Sequence, residues 1–158
     1  MNAPAPGGDV RHVAQMNIAR LRAPIDSPEL AEFVAALDPV NAIADASPGF
    51  VWRLQGEGND ATDLRPFDDD DLIVNMSVWE TPDDLRAFFR HPEHRSYFAR
   101  RDEWFVPPDG VHVVLWWVPA GHVPTPEEGR ERLDHLASHG PNGDTFTLGT
   151  VPRSVASP

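Results

Sequence analysis

The stretch from Asp71 to Phe105 leaves the chain few choices, because a strand pattern there runs directly into a capped helix. From Leu72 the side chains alternate. Leu72, Val74, Met76 and Val78 form one wholly apolar face, and Ile73, Asn75, Ser77 and Trp79 form the other. Period two with β-branched residues specifies a strand. The apolar face is expected to lie under helices. The other face carries an amide, a hydroxyl and an indole N–H, each needing a hydrogen-bond partner once buried, and is expected to line a cavity. Thr81-Pro82-Asp83-Asp84 then starts a helix, with Thr81 as N-cap and acids in the first turn. Leu85, Phe88 and Phe89 mark its buried face, and Pro92 stops it. A second short helix, about His94 to Glu103, presents Tyr97 and Phe98 ahead of Trp104 and Phe105.

The same reading extends in both directions. A first strand runs from His12 to about Leu21, with Ala14, Met16 and Ile18 opposite Gln15 and Asn17. Ser27 caps a helix with Pro28 at its first position, and Leu30, Phe33, Val34 and Leu37 supply its apolar stripe. Asp38-Pro39 is expected to break or restart it. A second strand, Phe50 to Gln55, sets Phe50, Trp52 and Leu54 opposite Val51, Arg53 and Gln55. The polar connection 56–71 ends in four aspartates and reads as a solvated loop, since no calcium-loop spacing is present. The fourth strand, Val111 to Val118, alternates Val111, Val113, Leu115 and Trp117 with His112, Val114, Trp116 and Val118. Thr125-Pro126-Glu127-Glu128 caps a last helix, and 144–148 is a short edge strand.

The order β-α-β-β-α-β defines an α+β, ferredoxin-like fold with an antiparallel sheet and an extra C-terminal helix. Helices cover one face, and two such sheets cover the other by closing into a dimeric α/β barrel. The expected domain spans 11–148, between a flexible arm (1–10) and a flexible tail (149–158). Gln15, Asn17, Arg53, Asn75, Ser77, Trp79, His112 and Trp116 are all assigned to the faces opposite the apolar ones. That set suits a semi-enclosed pocket for a small molecule.

Composition removes several chemistries. Cysteine is absent, and all thirteen basic residues are arginine. Disulfides, thiolate sites, Schiff-base lysines and Walker-type phosphate loops are therefore excluded. The net charge of −12, without a basic cluster, argues against nucleic acid and anionic membranes as partners. No apolar run approaches the ~20 residues of a membrane span. The first ten residues lack a signal-peptide pattern, so a cytoplasmic protein is expected.

Six segments together resemble the domain-of-unknown-function family 3291: AQMNIARLRAP, VNAIADASPGFVWRLQ, NMSVWETPDDLRAFF, the H…RRDEWF segment, LWWVPAGHVPT with the following EE, and HGPNGDTFTL. They run from about residue 14 to 148. The resemblance implies a dimeric α/β barrel and brings no established catalytic residues. More distantly, the strand ending in Trp-Glu, followed by a helix and then histidines, is similar to antibiotic-biosynthesis monooxygenase domains. In some of those an Asn four residues before the Trp helps hold an aromatic substrate, and Asn75 and Trp79 have that spacing.

The candidate roles follow. His112 or His94 would serve as acid or base. Arg53 would hold an enolate or carboxylate, and Asn75 would orient a carbonyl with Ser77. Asn17, Trp79, Phe98, Trp104 and Trp116 would contact a flat substrate. Core packing is the alternative for each tryptophan alone, and interface ion pairing is the alternative for Arg53, Arg100 and Arg101. The pairs His91/His94 and His135/His139 lack a third convergent ligand, so no metal is assigned. The expected function is a cofactor-independent, monooxygenase-like enzyme of secondary metabolism acting on an aromatic or polyketide-like substrate. The alternatives are a cyclase, dehydratase or isomerase working by acid–base catalysis in the same pocket, and a non-catalytic dimer binding haem (through His94 or His112) or another small ligand.

Overall fold

A computed structural model describes residues 10–56, 58, 60, 62, 64, 66–67 and 69–152. The expected arm therefore lies outside the described residues except for Val10. The early part of the expected tail is structured: residues Leu148–Thr150 form a 3-10 turn, and Leu148 and Val151 pack on the core.

The strands are β1 (Arg11–Leu21), β2 (Phe50–Arg53), β3 (Leu72–Trp79), β4 (Phe105–Val106), β5 (Val113–Pro119) and β6 (Thr145–Phe146). The helices are α1 (Ala31–Ala46), α2 (Pro82–Phe89), α3 (Pro92–Phe98) and α4 (Pro126–His139). The sheet order is β2-β3-β1-β5-β6, all antiparallel, with β4 pairing the end of β1. This is the ferredoxin-like order, with β6 added at one edge and β4 beyond the end of β5.

Two of the three expected caps are present. Thr81 Oγ1 accepts from the Asp84 N–H, and Thr125 Oγ1 accepts from the Glu128 N–H, each at 3.1 Å. Pro39 does not break α1. Ala36 before it and Ala44 after it are both buried, so packing holds the helix through a residue that costs it one backbone bond. Ser27 does not cap by its side chain; its hydroxyl donates to the Pro24 carbonyl instead.

The two faces of the sheet are assigned by register, and here the structure corrects the sequence. Ala14, Met16, Val74, Met76, Val78, Val114, Trp116 and Val118 share one apolar face. It is covered within the same chain by Leu133 and Leu136 of α4, with Phe67 from the 56–71 connection packed beside them. The other helices lie on the opposite face. There Trp79, Leu115, Phe146 and Val13 pack with Ala44 of α1, Leu85 of α2, and Phe88 and Phe89. Leu21 and Ile73 meet Leu30 and Trp104 at the far end of that face. Trp79 and Ser77 thus look into the helix-covered face rather than away from it, and Asn75 lies on the same face at its exposed end.

A β-bulge in β2 makes a second correction. Phe50 pairs Trp79 and Arg53 pairs Ser77, while Trp52 pairs Val78. Simple alternation put Phe50 with Trp52; the extra residue turns Phe50 onto the face of Arg53.

Close contact of α4 with the sheet is set by Gly129, where an added Cβ would meet the Met16 sulfur at 2.5 Å. An exposed helical Gly→Ala change stabilises by up to about 1 kcal/mol. Gly129→Ala should instead destabilise by about 1–3 kcal/mol through overpacking against a fully buried methionine, read as a lowered midpoint in urea. A raised midpoint would show that α4 does not sit against β1 in this way.

Candidate functional site: a polar row beneath the helices

β1 and β3 pair Gln15 with Ser77 and Asn17 with Asn75, and β2 brings Arg53 beside Ser77. A row of polar side chains therefore crosses the helix-covered face: Arg53, Ser77, Gln15, with Asn75 and Asn17 one step along. Gln15 is its hub. The residue is 2% exposed. Its Nε2 donates to Asn75 Oδ1 at 2.8 Å and to Ser77 Oγ at 2.9 Å, while its Oε1 accepts from Asn17 Nδ2 at 3.2 Å. Trp79 Nε1 donates to Ser77 Oγ at 2.9 Å, and Asn17 Nδ2 reaches Asn75 Oδ1 at 3.3 Å. The buried members Gln15, Ser77 and Trp79 all have partners, as buried polar groups require.

The row runs from interior to surface. Trp79 is fully buried, stacked on Phe88 at 5.3 Å and met edge-on by Phe50 at 5.4 Å. Ser77 is buried, Asn17 half-buried and Asn75 exposed. Aromatic packing fills the Trp79 end, so in place of the expected semi-enclosed pocket only the Asn75–Asn17 end reaches the surface. Two open surface hollows, about 590 Å³ beside α4 and about 410 Å³ at the start of α1, lie elsewhere and are lined by none of these residues. The row, whose buried groups converge, is the better candidate site.

Arg53 lies on the predicted face, but its guanidinium is spent on Asp45 of α1. Nε and Nη2 meet the two carboxylate oxygens at 2.7 and 3.2 Å. Buried at 7% exposure, it fastens α1 to β2. Arg100 is likewise paired within the chain, to Glu32 and Glu103. His94 stands one ring beyond the row, among Phe88, Phe89 and Phe98 with centroids at 5.0, 4.9 and 6.2 Å. Burial lowers its pKa, aided by the charge of His91, against the opposing effect of the Phe89 carbonyl. Its Nδ1 is buried with no partner. Phe98 is 56% exposed at the rim, with Arg101 over its ring. Trp104 is buried among Phe33, Tyr97 and Phe105.

His112 and Trp116 are corrected. Trp116 pairs Ala14 across β1–β5 and so lies on the apolar face under α4. His112, just before β5, shares that parity, is exposed, and sets its Nδ1 3.2 Å from the Gly110 carbonyl. Neither joins Asn75. Both parities of β5 are apolar, so alternation alone cannot say which faces the amides; Leu115 and Trp117 do. As to haem, neither His94 nor His112 lines either hollow, and His94 is hemmed in by three phenyl rings, so these residues do not fit that group. Among the described residues, no three His, Asp or Glu side chains are grouped to hold a metal, and no helix is long and apolar enough to cross a membrane.

Sequence reasoning missed two features. Alternation sets Gln15 with Asn17 on one face, but its place at the centre of the row depends on the β1–β3 register. On the other face, Trp116 Nε1 donates to Glu128 Oε2 at 2.8 Å, and Glu128 Oε1 lies 2.8 Å from His122 Nε2. That tie draws together the segment LWWVPAGHVPT and the EE after it.

The chain belongs to the family described as domain of unknown function (DUF3291), whose model matches residues 12–157. No curated protein matches it. A conserved protein from Methanosarcina mazei Go1 shares the fold at 9% identity, with a TM-score of 0.50 over 70% of this chain and 94% of that one. SnoaB, a cofactor-independent oxygenase from Streptomyces nogalater, is 21% identical with a TM-score of 0.47, covering 72% and 97%. A putative antibiotic biosynthesis monooxygenase from Nitrosomonas europaea is 14% identical with a TM-score of 0.47, covering 73% and 94%.

Burial alone would raise the Glu128 carboxyl. The hydrogen bonds from His122 and Trp116, with the charges of His122 and Arg132, outweigh it and hold the pKa below the usual value. A depressed carboxyl contributes stability above its unfolded pKa and loses it as pH falls through the folded one. Glu128→Gln should cost about 1–3 kcal/mol at pH 7, and the gap to the parent protein should close as pH falls below about 4. Urea midpoints across pH measure this; a gap independent of pH would remove the carboxylate from the account.

Proposed function

We propose that this member of the DUF3291 family is a small-molecule enzyme, working as a homodimer, that oxygenates a planar phenolic or polyketide-like substrate without an organic cofactor. The observation that carries this reading is the neutrality of the row. Gln15, Asn17, Ser77, Asn75 and Trp79 can donate and accept hydrogen bonds, but none takes a proton from carbon near neutral pH. Arg53 is committed to Asp45.

A substrate handled there must supply its own carbanion, and phenols and enols do so by ionising at oxygen. Asn75 Nδ2 would hold that oxygen, and the exposed ring of Phe98 would contact the substrate's flat body. Dioxygen, as the oxidant, adds to the electron-rich carbon to give a hydroperoxide, which loses water. An activated CH2 and O2 become C=O and H2O, so atoms and electrons balance. The enzyme contributes orientation and stabilisation of the oxyanion.

The unpartnered Nδ1 of His94 favours one second reading, acid–base cyclisation or dehydration, because a neutral buried imidazole can accept a proton. The two readings separate in one assay. With hydroxyanthrone-type phenols, oxygenation consumes O2 and yields a product with one oxygen more and two hydrogens fewer. Asn75→Ala should lower kcat/KM about 10²-fold, while His94→Ala should leave most of it. Turnover without O2 uptake that is lost in His94→Ala would establish the acid–base reading, and no O2 uptake with any such phenol would overturn the first.

A further inference from the structure

We propose that the open end of the row selects a ligand oxygen in its ionised form, and that Gln15 is the positioning residue that sets this preference. The proposal rests on the substrate lying at Asn75, as above, but not on the oxygenation step.

The direction of the row is decided at Trp79, because an indole N–H can only donate. It donates to Ser77 Oγ, and Gln15 Nε2 donates to the same oxygen. Both Ser77 lone pairs are then occupied, leaving only its hydroxyl proton to offer. The other Nε2 hydrogen of Gln15 goes to Asn75 Oδ1, which also accepts from Asn17 Nδ2. Asn75 is left with only its N–H groups facing outward. Two side chains that could have been acceptors are thus both turned into donors by one buried amide. They are two residues apart on one strand face, about 7 Å along the strand, and their oxygens sit on one Gln15 nitrogen. Beside them, the Oδ1 of Asn17 accepts nothing among the described residues.

The guanidinium and the imidazole that border the row add no negative charge to it. Arg53 pairs Ser77 across β2–β3 and is balanced by Asp45 of α1, and the lowered pKa of His94 in α3 keeps that ring neutral. Donors to an ionised oxygen make hydrogen bonds roughly twice as strong as neutral ones. The acceptor on Asn17 takes a neighbouring hydroxyl proton. The matching ligand is a singly ionised planar molecule with an O⁻ next to an O–H, such as a vicinal or peri-dihydroxy arene.

The test uses 1,2-dihydroxyanthraquinone, whose visible absorption moves to longer wavelength on its first ionisation. Titrated with and without the protein, the bound dye should ionise at least one pH unit lower than the free dye, a tenfold preference for the anion. Asn75→Asp places a carboxylate at an exposed position and should abolish or reverse that shift. Gln15→Glu, an acceptor-only hub, should turn Ser77 and Asn75 inward and abolish it as well. Should that buried carboxylate prevent folding, judged by circular dichroism, Asn75→Asp decides. A dye that does not bind, ionises unchanged or higher when bound, or keeps its lowered value in Asn75→Asp overturns the proposal. A lowered value without O2 uptake by any phenol leaves this inference standing and removes the oxygenase reading.

Discussion

The hydrogen bonds of Gln15 carry more of this structure than their number suggests. They cross from β1 to β3 at the centre of the sheet, between two strands that together define both of its faces. A slip of one residue in that pairing would send Gln15 and Asn17 into the apolar layer under α4 and turn Met16 toward the amides. Each buried amide left without a partner costs about 1–3 kcal/mol. Apolar burial drives the strands together, and the polar row picks out the one register in which nothing is orphaned. The same bonds fix which hydrogens reach the surface at Asn75. Folding specificity and the chemistry proposed for Asn75 are two results of one network.

The layers around that ladder divide the labour. On one side α4 lies close enough that a Cβ at 129 would press on the buried Met16 sulfur, and Trp116, Glu128 and His122 tie its first turn to the sheet. On the other side α1, α2 and α3 bring aromatic rings down on Trp79, so that order extends from Trp79 to Phe88 and on to His94. One end of the row is therefore buried in aromatic packing, and the other is exposed. A site anchored at one end and exposed at the other gains precise donors without closing itself to a bulky planar ligand.

Much of this was legible in the chain. The alternation from Leu72 to Trp79, the capped starts at Thr81 and Thr125, and the β-α-β-β-α-β order each follow from local rules that tertiary contacts had no reason to override. The side-by-side placement of Asn17, Arg53, Asn75 and Ser77 was legible too, because polar residues at alternate positions of neighbouring strands have one face to share. What was not legible came from pairing between distant segments. β5 is apolar at both parities, so its sequence cannot say that Leu115, not Trp116, borders Gln15. The bulge at Phe50 is a feature of the β2–β3 ladder, not of the four residues of β2. That α4 covers the apolar face shows only in contacts between distant segments, such as Gly129 with Met16, residues 113 positions apart in the chain. Pro39 misled because its local cost is real but smaller than the burial on either side.

The central claim is that substrate meets the protein at the Asn75 end of the row. It is tested most directly by a crystal structure of the protein with a dihydroxyanthraquinone bound. A ligand oxygen is expected within hydrogen-bonding distance of Asn75 Nδ2, with Gln15 Nε2 still bonded to Asn75 Oδ1 and Ser77 Oγ. A ligand seated instead on the α4 side, against His122 and Glu128, with the Asn75 amide untouched, would contradict it.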